Sequence, residues 1–82
     1  MLSSDGKTAL IFNGEIYNFR VLRDELINKG VVFRSDSDTE VLLELYLHHG
    51  ESMLPMLNGI FAFALWDGHL GRMLIARDAL GV

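Results

Sequence analysis

The sequence predicts an α+β fold with the element order β-α-β-α-β-β, on three observations. A short apolar run, Thr8–Phe12, leads straight into Asn13-Gly14. Two stretches, opening after Asn18 and at Ser37, repeat apolar residues at helical spacing. Ile60–Trp66 is apolar at every position and is followed, across a loop, by the strand-like run Arg72–Arg77.

Each element has a local reason. Ser3–Lys7 is a turn by composition, and Thr8–Phe12 a strand. Asn18 stands at the N-cap of the first helix. Its Phe19, Leu22, Leu26 and Ile27 share one face, Arg20, Arg23, Asp24 and Lys29 lie opposite, and Gly30 supplies the stop. Val31–Arg34 reads as a short strand. Ser37-Asp38-Thr39-Glu40 fits the S-x-x-E capping box and opens the second helix. Val41, Leu42, Leu45 and Tyr46 form its apolar side, Leu43 and Leu47 make it apolar nearly all round, and His48-His49-Gly50 closes it. Residues 51–57 are a turn or short helix ending at Asn58-Gly59. Ile60–Trp66, apolar on both faces, has the pattern of a central strand between two layers, and Arg72–Arg77 completes a hairpin with it.

The bulk properties narrow the function. The 82 residues make one small domain or part of a larger one, and half of them are hydrophobic. The net charge of −4 and the scattering of Lys7, Arg20, Arg23, Lys29, Arg34, Arg72 and Arg77 leave no basic patch for a nucleic acid. With no cysteine there is neither a disulfide nor a thiolate metal site. The first residues lack the charged and apolar regions of a signal peptide, and no apolar run approaches membrane-spanning length, so the expectation is a cytoplasmic protein with no membrane partner.

Asn13-Gly14 admits two readings. Asn-Gly between apolar runs is a common hairpin turn, because both residues tolerate positive φ, and the dipeptide alone favours that turn. Against it, only Glu15-Ile16-Tyr17 remains for a return strand before the helix begins. The other reading pairs the Asn13 side-chain amide with a backbone N–H, beside the Glu15 carboxylate. Two such donors are what an amide-cleaving site uses to hold a developing oxyanion. That reading lacks a thiol to attack with.

Asp36 and Asp38 match neither the aspartate-phosphatase spacing nor a calcium loop, and no residue is assigned to a metal. Ser37 or Asp38 can simply cap a helix, and an ionised Asp at a helix start is also a good partner for an ammonium group. His48 and His49 are adjacent, point to different sides of a helix and read as surface residues. His69 has no acidic partner nearby in sequence. Phe61, Phe63 and Trp66 read as packing aromatics.

Taken in order, Phe12–Asn18 (Phe-Asn-Gly-Glu-Ile-Tyr-Asn), Leu22–Leu26, Ser35–Glu40, Leu57–Asp67 and Ala76–Gly81 resemble the glutaminase domain of glutamine-hydrolysing asparagine synthetases. That family is of class II glutamine amidotransferases, N-terminal-nucleophile hydrolases with an αββα sandwich. The resemblance implies that residues 1–82 are an internal fragment of such a domain and form part of the sandwich. It implies that Asn13 (side-chain amide) and Gly14 (backbone N–H) form the oxyanion hole. Glu15 and Asp38 would hold L-glutamine, with Asp38 facing its α-ammonium.

The implied activity is hydrolysis of glutamine to glutamate and ammonia for ATP-dependent amidation of aspartate, with the remainder of the amidotransferase/synthetase polypeptide as partner. The family's N-terminal cysteine nucleophile, its upstream arginine for the substrate carboxylate, and the synthetase domain that uses ATP and magnesium are absent from this chain, which carries no cofactor site of its own. Ala79 stands where a proline is common. The expectation is a chain inactive alone. The alternatives are a non-catalytic glutamine-binding or regulatory module, or an amidotransferase with another acceptor.

Overall fold

Strand β1 (Thr8–Ile16) runs unbroken through Asn13-Gly14. The computed structural model describes residues 1–78; Ala79–Gly81, the end of the last resembling block, lies outside the described residues. The remaining elements are α1 (Phe19–Asn28), α2 (Asp38–His49), a 3-10 helix (Gly50–Met56), β2 (Gly59–Asp67) and β3 (Arg72–Arg77). They occur in the expected order except at Val31–Arg34, where no strand forms. That run is β-branched but lies between the stop at Gly30 and the turn at Ser35, and Val32 is left 86% exposed. The residues divide into two compact units, Met1–Glu15 with the chain from Ile60 on, and Ile16–Gly59.

The first unit is a three-stranded sheet in the order β1-β2-β3. The Gly68 N–H donates to the Lys7 carbonyl at 2.7 Å, while Gly14 lies against Ile60 and Phe61, so β1 and β2 run antiparallel. β2 and β3 are antiparallel in the register Trp66↔Met73, Ala64↔Ile75 and Ala62↔Arg77. The first residues extend the other edge: the Leu10 N–H donates to the Met1 carbonyl and the Ser3 N–H to the Thr8 carbonyl, each at 2.9 Å. The hairpin between β2 and β3 closes on Asp67, whose Oδ1 accepts from the N–H groups of His69 and Leu70. A carboxylate that caps the two following amides is the usual chemistry of such a turn.

Side chains alternate along β2 with the two-residue period of a strand. Phe61, Phe63, Leu65 and Asp67 are buried. Ile60 and Trp66 face the other way with Ile11, Met73 and Ile75, and all five are exposed. β2 is thus the central strand that its composition predicts, but only one of its faces is covered among the described residues.

The second unit packs α1 against α2, and α2 against the 3-10 helix. Leu22 and Leu26 from α1, Val41, Leu42, Leu43, Leu45 and Tyr46 from α2, and Met53 from the 3-10 helix are buried in it, with Ile16 at its start. Ile27, expected on the same face as Leu22, is 42% exposed because the helix turns it outward in its last turn. Leu43 is fully buried and Leu47 is not, so α2 is covered on more than one side without being covered all round.

Asn18 does occupy the N-cap of α1, yet its side chain makes no cap bond. Instead its Nδ2 donates to the Met56 carbonyl at 2.9 Å, and its Oδ1 accepts the Asn58 N–H at 3.0 Å. The Tyr17 N–H donates to the Asn58 carbonyl beside them. This amide clamp joins the two ends of the unit.

Candidate functional site

Gly14 shows most directly why the sequence runs Asn-Gly here. Its φ is +124°, a conformation that side-chain-bearing residues rarely adopt. A Cβ added to it would strike the Ile60 carbonyl oxygen and come within 2.7 Å of the Phe61 Cα. Glycine is therefore required by close approach of two strands and not by a turn. The hairpin reading of Asn13-Gly14 is overturned, because pairing with β2 carries β1 on to Ile16.

The stretch of β2 that faces Gly14 is itself held. Asp78, buried just past β3, accepts the Phe61 N–H through Oδ1 at 3.1 Å, and its own N–H donates to the Phe61 carbonyl at 3.0 Å. Backbone and side chain of one residue thus grip both polar groups of Phe61. Asn13, Gly14 and Glu15 are consecutive and exposed on β1.

Asp38 belongs to the second unit, as the first residue of α2 and half-buried. Two negative side chains, Asp38 and Glu40, lie in the first turn, where the helix dipole favours them. Ser37 caps the helix, accepting the Glu40 N–H at 3.3 Å. The Glu40 side chain does not complete the reciprocal half of a capping box. Only 1% exposed, it turns back along the loop: Oε2 accepts the Arg34 N–H at 2.8 Å and Oε1 accepts the Ser35 hydroxyl at 2.7 Å. Burial pushes its pKa up, but hydrogen bonds from the Arg34 N–H and from the hydroxyl and N–H of Ser35, with the Arg34 charge, outweigh that and hold it below the ordinary value.

A cavity of about 230 Å³ in this unit is lined by Phe19, Arg20, Arg23, Asp24 and Asp36. It includes none of the residues expected to bind substrate. Arg23 pairs there with Asp36 at 3.3 Å and lies 5.0 Å from the centroid of the Phe33 ring, so the cavity is bounded by an ion pair that crosses the loop.

The histidines separate. His48 lies on the surface of α2, 3.8 Å from Glu44 one turn earlier. His69 does have an acidic partner, which no local reading could find: its Nε2 is 2.8 Å from Asp5 Oδ2, across 64 positions of sequence. The Asp5 carboxylate also accepts from the Ser3 hydroxyl and the Lys7 N–H, and these bonds, with that to His69, hold its pKa well below the carboxylate range. Both side chains are about half exposed, which makes this a surface staple between the first turn and the β2–β3 hairpin.

The chain belongs to the glutamine amidotransferase domain family, whose family model matches residues 1–82. It is 49% identical over 73 residues to glutamine-hydrolyzing asparagine synthetase 1 of Bacillus subtilis, a match covering 89% of this chain and 12% of that protein. It is 44% identical over 82 residues to glutamine-hydrolyzing asparagine synthetase 2 of Arabidopsis thaliana, covering 100% of this chain and 14% of that one. Among solved structures, the glutamine phosphoribosylpyrophosphate amidotransferase of B. subtilis, complexed with ADP and GMP, superposes with a TM-score of 0.80 at 32% identity, covering 99% of this chain and 19% of that chain. The mixed α/β fold and its antiparallel sheet are thus those of N-terminal-nucleophile amidotransferases. The chain spans only about an eighth of the length of these synthetases. No helix among the described residues is long and apolar enough to cross a membrane.

Proposed function

We propose that this chain is the amide-binding part of the glutaminase domain of an asparagine-synthetase-like enzyme. Asn13 and the Gly14 N–H receive the carboxamide oxygen of L-glutamine, Glu15 supports its binding, and Asp38 receives its α-ammonium. When a thiolate adds to the amide carbon, the carbonyl π electrons move to oxygen, and two preplaced donors stabilise the resulting oxyanion. Losing one such donor typically costs about 100- to 1000-fold in rate. An ionised Asp at a helix start forms a charge-assisted bond with an ammonium and disfavours ligands that lack one.

The observation that carries this reading is the unbroken course of β1 through Asn13-Gly14, which removes the turn as an explanation for the dipeptide. On this reading the remainder of the amidotransferase/synthetase polypeptide is the partner that supplies the nucleophile and the aspartate-amidating centre. ATP and magnesium belong to that centre, and no residue of this chain is assigned to them.

Titration of the 15N-labelled chain with L-glutamine tests the proposal. The expected result is saturable shifts at Asn13–Glu15 and at Asp38, with the Asp38 shifts abolished in Asp38→Asn. Shifts confined to the Arg20–Arg23 cavity, or none at millimolar ligand, would overturn it. On this reading the nucleophile lies in the remainder of the polypeptide, and this chain carries no thiol. Accordingly the chain alone should release no ammonia from glutamine above a Gly14→Pro control in a coupled dehydrogenase assay.

A further inference from the structure

We infer that Glu40 is a positioning residue for Asp38: its buried carboxylate sets the shape of the Arg34–Ser37 loop, and so the point at which Asp38 presents its charge to a ligand ammonium. The inference rests on the reading of Asp38 given above and extends it to a residue that touches no ligand.

The geometry distinguishes this from ordinary helix capping. In a capping box the acidic side chain returns to the N-cap backbone N–H. Glu40 instead is 1% exposed and reaches beyond the cap, to the Arg34 N–H and the Ser35 hydroxyl. Ser35 in turn bonds the Ser37 hydroxyl at 3.0 Å and accepts the Ser37 N–H at 3.4 Å. Ser37 closes the circuit by accepting the Glu40 N–H. Every residue from Arg34 to Ser37 except Asp36 is thereby tied, directly or through one hydroxyl, to Glu40.

Asp38 follows at once, with its backbone fixed on one side by Ser37 and on the other by the helix. Its own carboxylate has no hydrogen bond or ion pair among the described residues. Among the described residues, the backbone set by the loop therefore decides where that carboxylate is presented. A buried carboxylate is costly unless its acceptor sites are filled. Filling them with loop donors makes the loop and the helix start one rigid piece.

The test compares L-glutamine with 4-carbamoylbutanoate, the same amide with hydrogen in place of the α-ammonium. Binding of both is measured by calorimetry to the wild-type chain, to Glu40→Gln and to Ser35→Ala, which removes one Glu40 bond without altering α2. The wild-type chain should prefer glutamine. In both variants that preference should fall by about tenfold, the worth of a misplaced charge-assisted bond, while affinity for 4-carbamoylbutanoate stays the same. A general loss of structure would instead weaken both ligands together, and retention of the wild-type preference in folded variants would overturn the inference.

A wild-type chain with no preference would overturn the underlying reading of Asp38 instead. Ligand-free spectra decide the structural half on their own. The Ser37 and Asp38 amide resonances should move in both variants while those of Tyr46 and Leu47 stay in place. Unmoved Ser37 and Asp38 resonances would remove the proposed coupling whatever the ligand results.

Discussion

The carbonyl of Ile60 occupies the space that a side chain on Gly14 would need, so the two strands can meet only at a glycine. Gly14 also holds φ at +124°. Conformational strain and overpacking therefore act together in Gly14→Ala, and each costs about 1–3 kcal/mol. Chemical denaturation should show a loss of about 2–6 kcal/mol. Gly6, also at positive φ but with open space around it, is the control: Gly6→Ala should lose only about 1 kcal/mol. Equal losses at the two positions would show that close approach to β2 plays no part.

The Asn18 clamp should be sensitive to chemistry more than to size. Asn18→Asp keeps the acceptor for the Asn58 N–H but sets a carboxylate against the Met56 carbonyl. Two oxygens then face one another without a proton. The expected cost is about 1–3 kcal/mol, with faster hydrogen exchange at Tyr17 and Asn58 than elsewhere in the second unit. Restoration of stability below the carboxylate pKa, where a proton returns to the contact, would identify the cause.

Glu40 sets an acid limit on the fold. Folding lowers its pKa below the ordinary 4.5, so the carboxylate is favoured in the native state. Its contribution is complete above pH 4.5 and is lost as pH falls through the lower folded value. Glu40→Gln should therefore be destabilised near neutral pH, and its stability should vary less than that of the wild-type chain as pH falls below 4.5. The check is urea unfolding across that range, and parallel curves for the two proteins would contradict it.

Ile11, Trp66, Met73 and Ile75 make one face of the sheet apolar and open. An apolar patch of this kind favours self-association. The chain should bind an environment-sensitive dye and sediment as a concentration-dependent mixture. Met73→Lys with Ile75→Lys should suppress both while leaving the unfolding free energy within about 0.5 kcal/mol, since neither side chain is buried.

Leu22 and Leu26 and the cap at Ser37 are legible directly, because each depends on a local period or a local hydrogen bond. Asn18 was legible as a helix start but not as a clamp, since its partners lie 38 and 40 positions away. Asp5 and His69 are likewise joined by folding alone.

Val31–Arg34 misled because β-propensity counts only where a neighbouring strand is in reach. Trp66 misled for a related reason: an apolar side chain announces that it can be buried, not that it is. At the candidate site, Asn13 and Gly14 were legible as a pair, yet the choice between turn and strand needed the position of Ile60. Glu40 was visible only as a capping residue, because its burial and its reach to Arg34 are tertiary facts.

The clamp at Asn18 has a consequence for how such a chain can change. Both ends of the helical unit are fastened to each other, at Tyr17-Asn18 and Met56–Asn58, and β1 and β2 remain neighbours in the sheet. An excursion with joined ends can be lengthened, exchanged or shortened to a tight connection without rethreading the strands on either side. Evolutionary and laboratory variation alike should find this segment a replaceable cassette, with Asn18 and Asn58 as its natural splice points.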